Sequence, residues 1–209
     1  MFKLEKEMIP VLRKGLSEIY NTNYFVEEFF SGNGKADIVF TQEIQLDKVV
    51  DFDFEQTFYL TCFLFTIKGR FTTNDLIKRY NLKEIKLQPL LNYLMINDYI
   101  YICDGYFKVK KKFSPPAKKL IAVEAKLKNW KEGFYQAQRY KHFSHKSFLA
   151  LSNDYINNVD IKLLKEKKIG LISVSTEKIN IIYNPPIETP LDVTAFYFLS
   201  SEFVKNLTA

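Results

Sequence analysis

The stretch 120–126, with the sequence LIAVEAK, restricts the fold of this chain more than any other. Its apolar residues favour a β-strand, and along a strand the side chains alternate between the two faces of the sheet. Glu124 and Lys126 therefore point to the same face, with the small Ala125 on the other. The apolar residues around them predict a central strand, where a carboxylate and an ammonium need a functional reason.

A second strand, predicted over 35–40, carries Asp37 among apolar residues. If the two strands are neighbours, the carboxylates of Asp37 and Glu124 meet and form an all-oxygen nest that suits a hard divalent cation. With the adjacent ammonium of Lys126, this is the equipment for metal-assisted hydrolysis of a phosphodiester. Taken singly, Asp37 is better explained as an ordinary hairpin residue, and Glu124 with Lys126 as a solvated cross-strand pair on one polar face.

The order of these features along the chain carries more information than any one of them, because an isolated E-x-K is common by chance. An acidic first helix, a strand pair with Asp37, the E-x-K strand and a helix containing Gln136 and Tyr140 follow one another. This arrangement resembles the PD-(D/E)xK nuclease superfamily over about residues 2–40 and 118–182. Ala36 stands where the simple pattern has proline.

The resemblance implies an α/β fold, with a restriction-endonuclease-like mixed β-sheet core flanked by helices. It also implies a site in which Asp37 and Glu124 hold Mg²⁺ or Mn²⁺ and Lys126 orients or helps to deprotonate the attacking water. A helix acid often completes such a site, and Glu5 is our candidate for the third metal ligand. We choose it over Glu7 and Glu18 because we expect it on the apolar stripe of the first helix. A solvated glutamate at a helix start is the alternative.

Gln136 and Tyr140 match the Q-x-x-x-Y element of many superfamily members, and we count them among the catalytic residues. They are four residues apart and share a helix face, so they can steady Lys126 or contact the DNA backbone. Alternatively they only cover the sheet. His142 and His145 lie nearby, but the sequence offers no third ligand, which favours a solvated helix end over a metal site.

Hydrophobic periodicity predicts the remaining elements of this core. A hairpin turn at 31–34 should use Gly and Asn for its positive φ angles, and Pro10 should bend the first helix or mark its start. The run from 118 to 175 reads β-α-β-α-β, which implies parallel strand pairing within a mixed sheet. The predicted helices are 3–20, 130–143, 160–167 and one from 189 onward, and the predicted strands are 24–30, 35–40, 118–126, 147–151, 170–175 and 178–183.

The middle of the chain has a different pattern. Helices are predicted over about 55–67, 73–80 and 86–97, with Thr72 or Thr73 as an N-cap, followed by a hairpin around Asp104-Gly105. This order resembles a winged helix-turn-helix domain. We therefore divide the chain into a first part of the nuclease core (1–45), an inserted winged-helix domain (46–115) and a second part of the core (116–209).

Basic residues are concentrated in this insert. The whole chain has a net charge of +6, and residues 55–112 contain ten basic and five acidic residues. Such asymmetry predicts contact with a polyanion, here DNA. The expected base-reading residues are Lys86, Gln88 and Asn92, and the expected phosphate contacts are Lys108, Lys110, Lys111 and Lys112. Winged helices also bind proteins, which is the alternative.

Composition limits the other classes of function. The two cysteines have no C-x-x-C spacing, so neither a zinc site nor a disulfide framework is indicated. No apolar stretch approaches the ~20 residues that span a bilayer, and the first residues are charged, unlike a signal peptide. We expect a cytoplasmic protein without an organic cofactor and without membrane contact. The sequence leaves a homodimer open.

The sequence as a whole predicts a Mg²⁺-dependent DNA endonuclease. A catalytically silent, nuclease-fold DNA-binding regulator or assembly subunit is the alternative. The intact set of Asp37, Glu124 and Lys126 favours the enzyme, because a decayed site would be expected to lose at least one of them. An RNA-processing nuclease also agrees with the charge and the motifs.

Overall fold

The computed structural model of the protein describes residues 2–66, 69–111 and 114–208, and at 63–66 the backbone alone. The chain divides into two compact units. The core unit comprises Met1–Val50 and Pro115–Ala209, and the small unit comprises Asp51–Ser114. Within the core unit, Ile44 forms a β-bridge with Ala117, so the chain leaves this unit and returns to it at neighbouring points.

The core unit is a mixed α/β structure, in which one six-stranded mixed sheet is flanked by helices. The strand order is β1-β2-β6-β7-β8-β9. The middle pairs β6–β7 and β7–β8 are parallel, and the other pairs are antiparallel. These strands are β1 (Tyr24–Phe30), β2 (Lys35–Thr41), β6 (Ile121–Lys126), β7 (Lys146–Ser152), β8 (Gly170–Val174) and β9 (Ile179–Tyr183).

Four helices belong to this unit: α1 (Ile9–Tyr20), α5 (Trp130–Tyr140), α6 (Ile161–Lys167) and α7 (Val193–Thr208). Each of them matches a predicted helix, and the predicted β-α-β-α-β run with parallel pairing is confirmed. Helix α5 ends three residues before its predicted end, because residues 141–143 form a turn. Strand β6 begins three residues after its predicted start.

The first helix starts later than predicted. Glu5–Glu7 form a single 3-10 turn, and the α-helix begins only at Ile9. Proline has no N–H to donate and fits only the first turn of a helix, so Pro10 marks the true start, as the sequence allowed. The prediction that Glu5 lies on the apolar stripe of this helix was therefore wrong, because Glu5 is part of the preceding turn.

Helix α1 covers one face of the sheet. Met8, Leu12 and Leu16 are fully buried there against apolar side chains from β1, β2, β6, β7, β8 and β9. From β6 this cluster takes Ile121, Val123 and Ala125. The opposite face packs against α5 and α6, whose apolar residues form a second cluster with Leu149 and Leu171. Because side chains alternate along β6, Glu124 and Lys126 belong to the face that α5 covers.

The hairpin between β1 and β2 has the predicted turn at 31–34, but its positive φ angles belong to glycines and not to Asn33. Gly32 and Gly34 have φ angles of 80° and 136°, whereas Asn33 has none of the positive φ expected of it. Because Gly32 and Gly34 adopt the positive φ angles that the turn needs, Asn33 does not have to adopt one. Glu28, on the strand before the turn, has a φ of 51°, a left-handed conformation that is rare for a residue with a side chain.

The small unit contains three helices, α2 (Phe54–Thr66), α3 (Thr73–Tyr80) and α4 (Glu84–Ile96), and three strands, β3 (Arg70–Phe71), β4 (Ile100–Cys103) and β5 (Tyr106–Val109). Thr72 caps α3 as predicted, and its hydroxyl accepts a hydrogen bond from the Asp75 N–H. Asp104 and Gly105 both have positive φ, as the type I′ hairpin turn requires. The sequence missed β3, which pairs with β5.

Both cysteines, Cys62 and Cys103, are free thiols. Within the described ranges, we find no helix with the length and apolar composition that crossing a bilayer requires.

Candidate metal and catalytic site

Two carboxylates meet where strands β2 and β6 part. The ladder between these strands ends at the pair Ile38–Val123, and Asp37 and Glu124 are the next residue on each strand. Ala125 then has no backbone partner on β2, and its N–H donates instead to Asp37 Oδ2 at 2.7 Å. The side chain of Asp37 thus replaces a rung of the ladder and is fixed beside Glu124.

Glu124 is held at both of its oxygens. Its side chain is 2% exposed, and Oε1 lies 3.0 Å from the Nζ of Lys126. Oε2 lies 2.7 Å from the hydroxyl of Tyr140, which is also 2.7 Å from the backbone carbonyl oxygen of Lys35. The hydroxyl has one proton, so it donates to one of these two acceptors at a time. Tyr140 thereby links β6 to the strand that carries Asp37.

Lys126 is surrounded by carboxylates. Besides Glu124, its Nζ lies 3.7 Å from Glu5 Oε2 and 4.0 Å from Glu132 Oε1. Glu5 is fixed from the other side, since its Oε1 accepts a hydrogen bond of 3.2 Å from the N–H of Leu127. The 3-10 turn therefore brings Glu5 to the predicted site although it is not part of α1.

Sequence reasoning missed Glu132. It lies in the first turn of α5, where the N-cap residue Asn129 accepts from its backbone N–H and donates to its Oε2 at 2.8 Å. The signal that could have found it was this capping pair, because Asn followed three residues later by Glu is typical of a helix start. A glutamate placed there on the helix that covers β6 comes close to Lys126.

Burial sets the pKa values of the two central carboxylates. It raises the pKa of Asp37, although the hydrogen bond from Ala125 and the charge of Lys126 act in the opposite direction. The pKa of Glu124 is raised by burial and then by the negative charge of Asp37. Two buried carboxylates held close together favour a neutral form of one of them or a cation between them.

The pKa of Lys126 is set by the carboxylates around it more than by burial. Burial alone would lower the pKa of its ammonium, but the hydrogen bond from Lys126 to Glu124 and the surrounding negative charges outweigh burial and raise the pKa. The side chain therefore keeps its proton at neutral pH. It is a hydrogen-bond donor and a fixed positive charge in a largely buried place, where charge interactions are stronger than in water.

The described residues offer a divalent cation few protein ligands. Across residues 2–66, 69–111 and 114–208, no three His, Cys, Asp or Glu side chains are grouped so as to hold a metal ion. Mg²⁺, however, usually takes only one or two carboxylates from a protein and fills its other positions with water and phosphate oxygens. Asp37 and Glu124 meet that need. Glu5 as a third ligand stays a prediction.

Helix α5 comes unusually close to the stem of Lys126. A Cβ atom added at Gly133 would lie 2.8 Å from Lys126 Cγ and 2.6 Å from Leu149 Cδ1, closer than real Cβ contacts. Only glycine allows the helix to pack at this distance. Sequence reasoning did not find this role, because a single glycine in a helical stretch does not reveal what faces it.

Gln136 lies one turn before Tyr140 on α5. Its Oε1 is buried and has no hydrogen-bond partner among the described residues. A buried acceptor without a partner is uncommon in folded proteins and is costly unless something supplies a donor. Gln136 is thus one helical turn from Tyr140 but bonds to none of the site residues that the structure describes, and its catalytic role stays a prediction.

The residues predicted to contact DNA lie in the small unit. Gln88 and Asn92 are exposed on α4, one turn apart. The ammonium of Lys86 is bound to the carboxylate of Glu55 at 2.6 Å. Its charge is therefore partly neutralised.

The lysines of the hairpin have partners of their own. Lys110 pairs with Asp98 at 2.7 Å, and Lys111 lies over the ring of Tyr99, 4.7 Å from its centre. The ammonium of Lys108 is 3.4 Å from the sulfur of Cys103. The Lys110–Asp98 pair is exposed, and such ion pairs are weak and exchange readily, so Lys110 can still meet a phosphate. Lys112 lies outside the described residues.

Comparison with known proteins gives no family. No family model matches the chain, and no curated protein matches it. Among solved structures, the chain is similar to the SPO1766 protein of unknown function from Silicibacter pomeroyi, with 11% sequence identity and a TM-score of 0.49. The match covers 99% of this chain and 89% of that one. Inference about function therefore depends on the side chains described above.

Proposed function

We propose that this protein is a Mg²⁺- or Mn²⁺-dependent DNA endonuclease with a restriction-endonuclease-like core of the PD-(D/E)xK type. The observation that carries the proposal is the hydrogen bond between Asp37 and the N–H of Ala125. It fixes one carboxylate to the residue that separates Glu124 from Lys126. Asp37, distant in sequence, is thereby brought beside the strand of Glu124 and Lys126, which supports the proposal.

In this proposal Asp37 and Glu124 hold the cation, which when bound lowers the pKa of water and offsets the charge of a phosphodiester. Lys126 keeps its proton and donates hydrogen bonds to the attacking water or to a phosphate oxygen. Glu5 and Glu132 surround the ammonium and limit its rotation. Preorganised charges of this kind stabilise the negative charge that develops in the transition state.

Tyr140 is a positioning residue in the same scheme. Its hydroxyl reaches both Glu124 and the carbonyl of Lys35, two residues before Asp37. Hydrogen bonds to a ligating carboxylate orient it and tune its affinity for the metal. Gln136, with its unpartnered buried oxygen, can accept a hydrogen bond from a donor of the substrate or from an ordered water.

The small unit would engage the duplex as an inserted winged helix. Support comes from the order of its helices and from the three-stranded sheet β3-β5-β4, whose β4–β5 hairpin would form the wing. Gln88 and Asn92 are exposed on α4 and would reach base edges. The lysines of the hairpin would contact phosphates without reading sequence.

The test is cleavage of supercoiled plasmid and of short duplex, branched and single-stranded DNA with Mg²⁺ or Mn²⁺. We expect cutting that EDTA abolishes and that Asp37→Asn and Lys126→Met each reduce by at least about 10²-fold. Glu177→Gln, an exposed acid elsewhere in the core unit, serves as the charge-matched control. Equal activity of the two site variants and the wild type would refute the proposal.

A second candidate is a DNA-binding regulator or assembly subunit that does not cut DNA. It is favoured by two apolar side chains on the outer side of α4, Ile85 and Ile96, which are 80% and 83% exposed. Large exposed apolar residues beside Gln88 and Asn92 suit a protein partner better than a DNA groove. Tight DNA binding without cleavage of any tested substrate, with either metal, would select this candidate.

A further inference from the structure

A cavity in the core unit, separate from the carboxylate site, has the chemistry of an anion site. Its volume is ≈ 180 Å³. The lining residues that matter here are Lys141, Ser144, His145, Lys146, Lys168 and Glu188. It lies where β6 and β7 begin. There the His145 N–H donates to the Leu120 carbonyl at 2.8 Å, and the Leu120 N–H donates to the His145 side chain. Four residues of strand, about 13 Å, separate this end of β6 from Glu124.

The hydroxyl of Ser144 has no partner. The residue is 3% exposed, and its Oγ makes no hydrogen bond to any described residue. Leaving a buried hydroxyl unsatisfied is unfavourable, so such groups in folded proteins usually face a ligand or a water. Since Ser144 lines the cavity, the missing partner belongs there.

His145 supplies a second donor. Its Nδ1 accepts a hydrogen bond of 3.3 Å from the N–H of Leu120, so the proton of the neutral ring resides on Nε2. Burial, helped by the charge of Lys119, lowers the pKa of His145 to about 4, which keeps the ring neutral. The edge-on contact with the ring of Phe196, 4.6 Å between centres, fixes its orientation.

Positive charge exceeds negative charge around the cavity. Three lysines line it, and Glu188 is the single acid among the described lining residues. Glu188 is already bound by Lys141 at 2.9 Å and by Lys168. Lys146 has a neutral partner instead, since its Nζ donates to Asn184 Oδ1 at 2.7 Å. Burial and the charge of Lys119 lower the pKa of Lys146, so an anion nearby would relieve an unfavourable charge.

We propose that this cavity binds a phosphate group, held by Ser144, His145 and Lys146. Its volume is well above the ~10–15 Å³ that one water needs, and the donors come from a turn and a strand end that are fixed by backbone hydrogen bonds. Hydroxyl, imidazole and ammonium donors together suit a tetrahedral oxyanion better than a carboxylate. The proposal does not depend on the nuclease assignment.

The protein has two histidines, which makes NMR a direct test. Inorganic phosphate is titrated into the protein while the imidazole Cε1–Hε1 signals are followed. We expect saturable movement of the His145 signal, with little movement of His142, which does not line the cavity. If neither signal moves, or if both signals move equally without reaching saturation, the proposal is overturned.

Two variants separate specific binding from general charge effects. Ser144→Ala and Lys146→Gln should each weaken phosphate binding by about tenfold, since each removes a donor to a charged ligand. Ser144 has no hydrogen bond to lose, so its alanine variant should fold normally. Lys162→Gln removes the same charge from an exposed position on helix α6 and should leave the affinity for phosphate unchanged. Affinities equal to wild type in both cavity variants would contradict the assignment.

The phosphate group can come from free phosphate or from the end of a nucleic acid. A thymidine dinucleotide with a 5′-phosphate and the same dinucleotide without it distinguish the two sources. Tighter binding of the phosphorylated dinucleotide than of inorganic phosphate would assign the cavity to a nucleic-acid terminus. Equal or weaker binding would assign it to free phosphate, and binding of the unphosphorylated dinucleotide alone would refute a phosphate site.

Discussion

The carboxylate of Asp37 accepts its hydrogen bond from the backbone of Ala125, the residue between Glu124 and Lys126. This bond ties the position of one acid to the strand that carries the other two charged residues. It also means that Asp37 has one oxygen engaged and one oxygen that it can offer to a cation. Because an asparagine can preserve the same hydrogen bond, the charge of Asp37 can be tested separately from its structural role.

The first prediction concerns stabilisation by metal. Mn²⁺ or Mg²⁺ should raise the melting temperature of the wild-type protein at pH 7.5, because a ligand that binds only the folded state stabilises it. The rise should be absent in Asp37→Asn. Differential scanning fluorimetry over a metal series, with EDTA as the reference, measures it. Glu177→Gln is the matched control, and a rise of equal size in Asp37→Asn would mean that the metal binds elsewhere.

The second prediction concerns pH without metal. The folded state raises the pKa of Asp37, so folded protein retains this proton to higher pH than unfolded protein. The contribution of Asp37 to stability is therefore present below about pH 4 and is lost as the pH rises through the folded pKa. Asp37→Asn escapes this loss.

Urea unfolding in EDTA between pH 4 and pH 8 measures this effect. Groups far from Asp37 are common to both proteins and cancel in the difference. Glu124 does not cancel, because the charge of Asp37 helps to raise its pKa, but losing that charge reduces the shift and changes the difference in the same direction. The stability of Asp37→Asn relative to wild type should therefore increase with pH. A difference that is constant, or that decreases as the pH rises, would contradict the assigned direction of the pKa shift.

The third prediction concerns Tyr140. Replacing it with phenylalanine keeps the ring in its buried place and removes the hydroxyl that touches Glu124 and the Lys35 carbonyl. Loss of a partner that orients a ligating carboxylate typically reduces metal affinity or activity by about 10–100-fold. A metal titration should show the weaker affinity, and a cleavage assay should show the lower rate. Unchanged metal affinity with intact folding would make Tyr140 a packing residue only.

The fourth prediction uses Gly133. An alanine there would push against the stem of Lys126, and misplacing a catalytic group by about 1 Å can reduce a rate by about 10²-fold. Gly15→Ala is the control, because its new Cβ would lie 2.5 Å from Ile179 Cγ1, a similar clash away from the described site residues. Both variants should lose stability, but only Gly133→Ala should lose activity beyond that loss. Equal effects on activity would exclude a role for the helix–lysine spacing.

Local signals predicted most elements of the fold. Strand β1 has its predicted bounds, Asp160 caps α6 where the predicted helix starts, and the Asp104-Gly105 turn has the φ angles that its sequence implies. These features depend on residues close in the chain, which explains why periodicity and capping rules find them. The sequence left two starts open for α1, because the amphipathic pattern continues through the 3-10 turn before Pro10.

The candidate site was only partly predictable, for a different reason. The pairing of Asp37 with the E-x-K strand followed from the order of motifs and from strand alternation. Glu132, Gly133 and the N–H of Ala125 were missed, because their roles depend on how closely α5 lies over β6 and on where β2 and β6 part. Such distances arise from tertiary packing, which no local pattern encodes. The orphaned hydroxyl of Ser144 could not be predicted either, since a serine after a helix is ordinarily solvated.

The last prediction concerns the basic residues of the small unit. If Lys108, Lys110 and Lys111 bind phosphates, replacing all three with alanine should weaken binding of every duplex sequence and make the logarithm of affinity less dependent on log salt. The slope should decrease by about one for each phosphate that is no longer neutralised, because each neutralised phosphate releases condensed counterions. Fluorescence anisotropy across a salt series measures it. A triple variant at Lys162, Lys165 and Lys167, on α6 of the core unit, removes the same charge. An unchanged slope in the hairpin variant would indicate that this unit meets a protein partner, and the DNA-binding surface would then have to lie on the core unit.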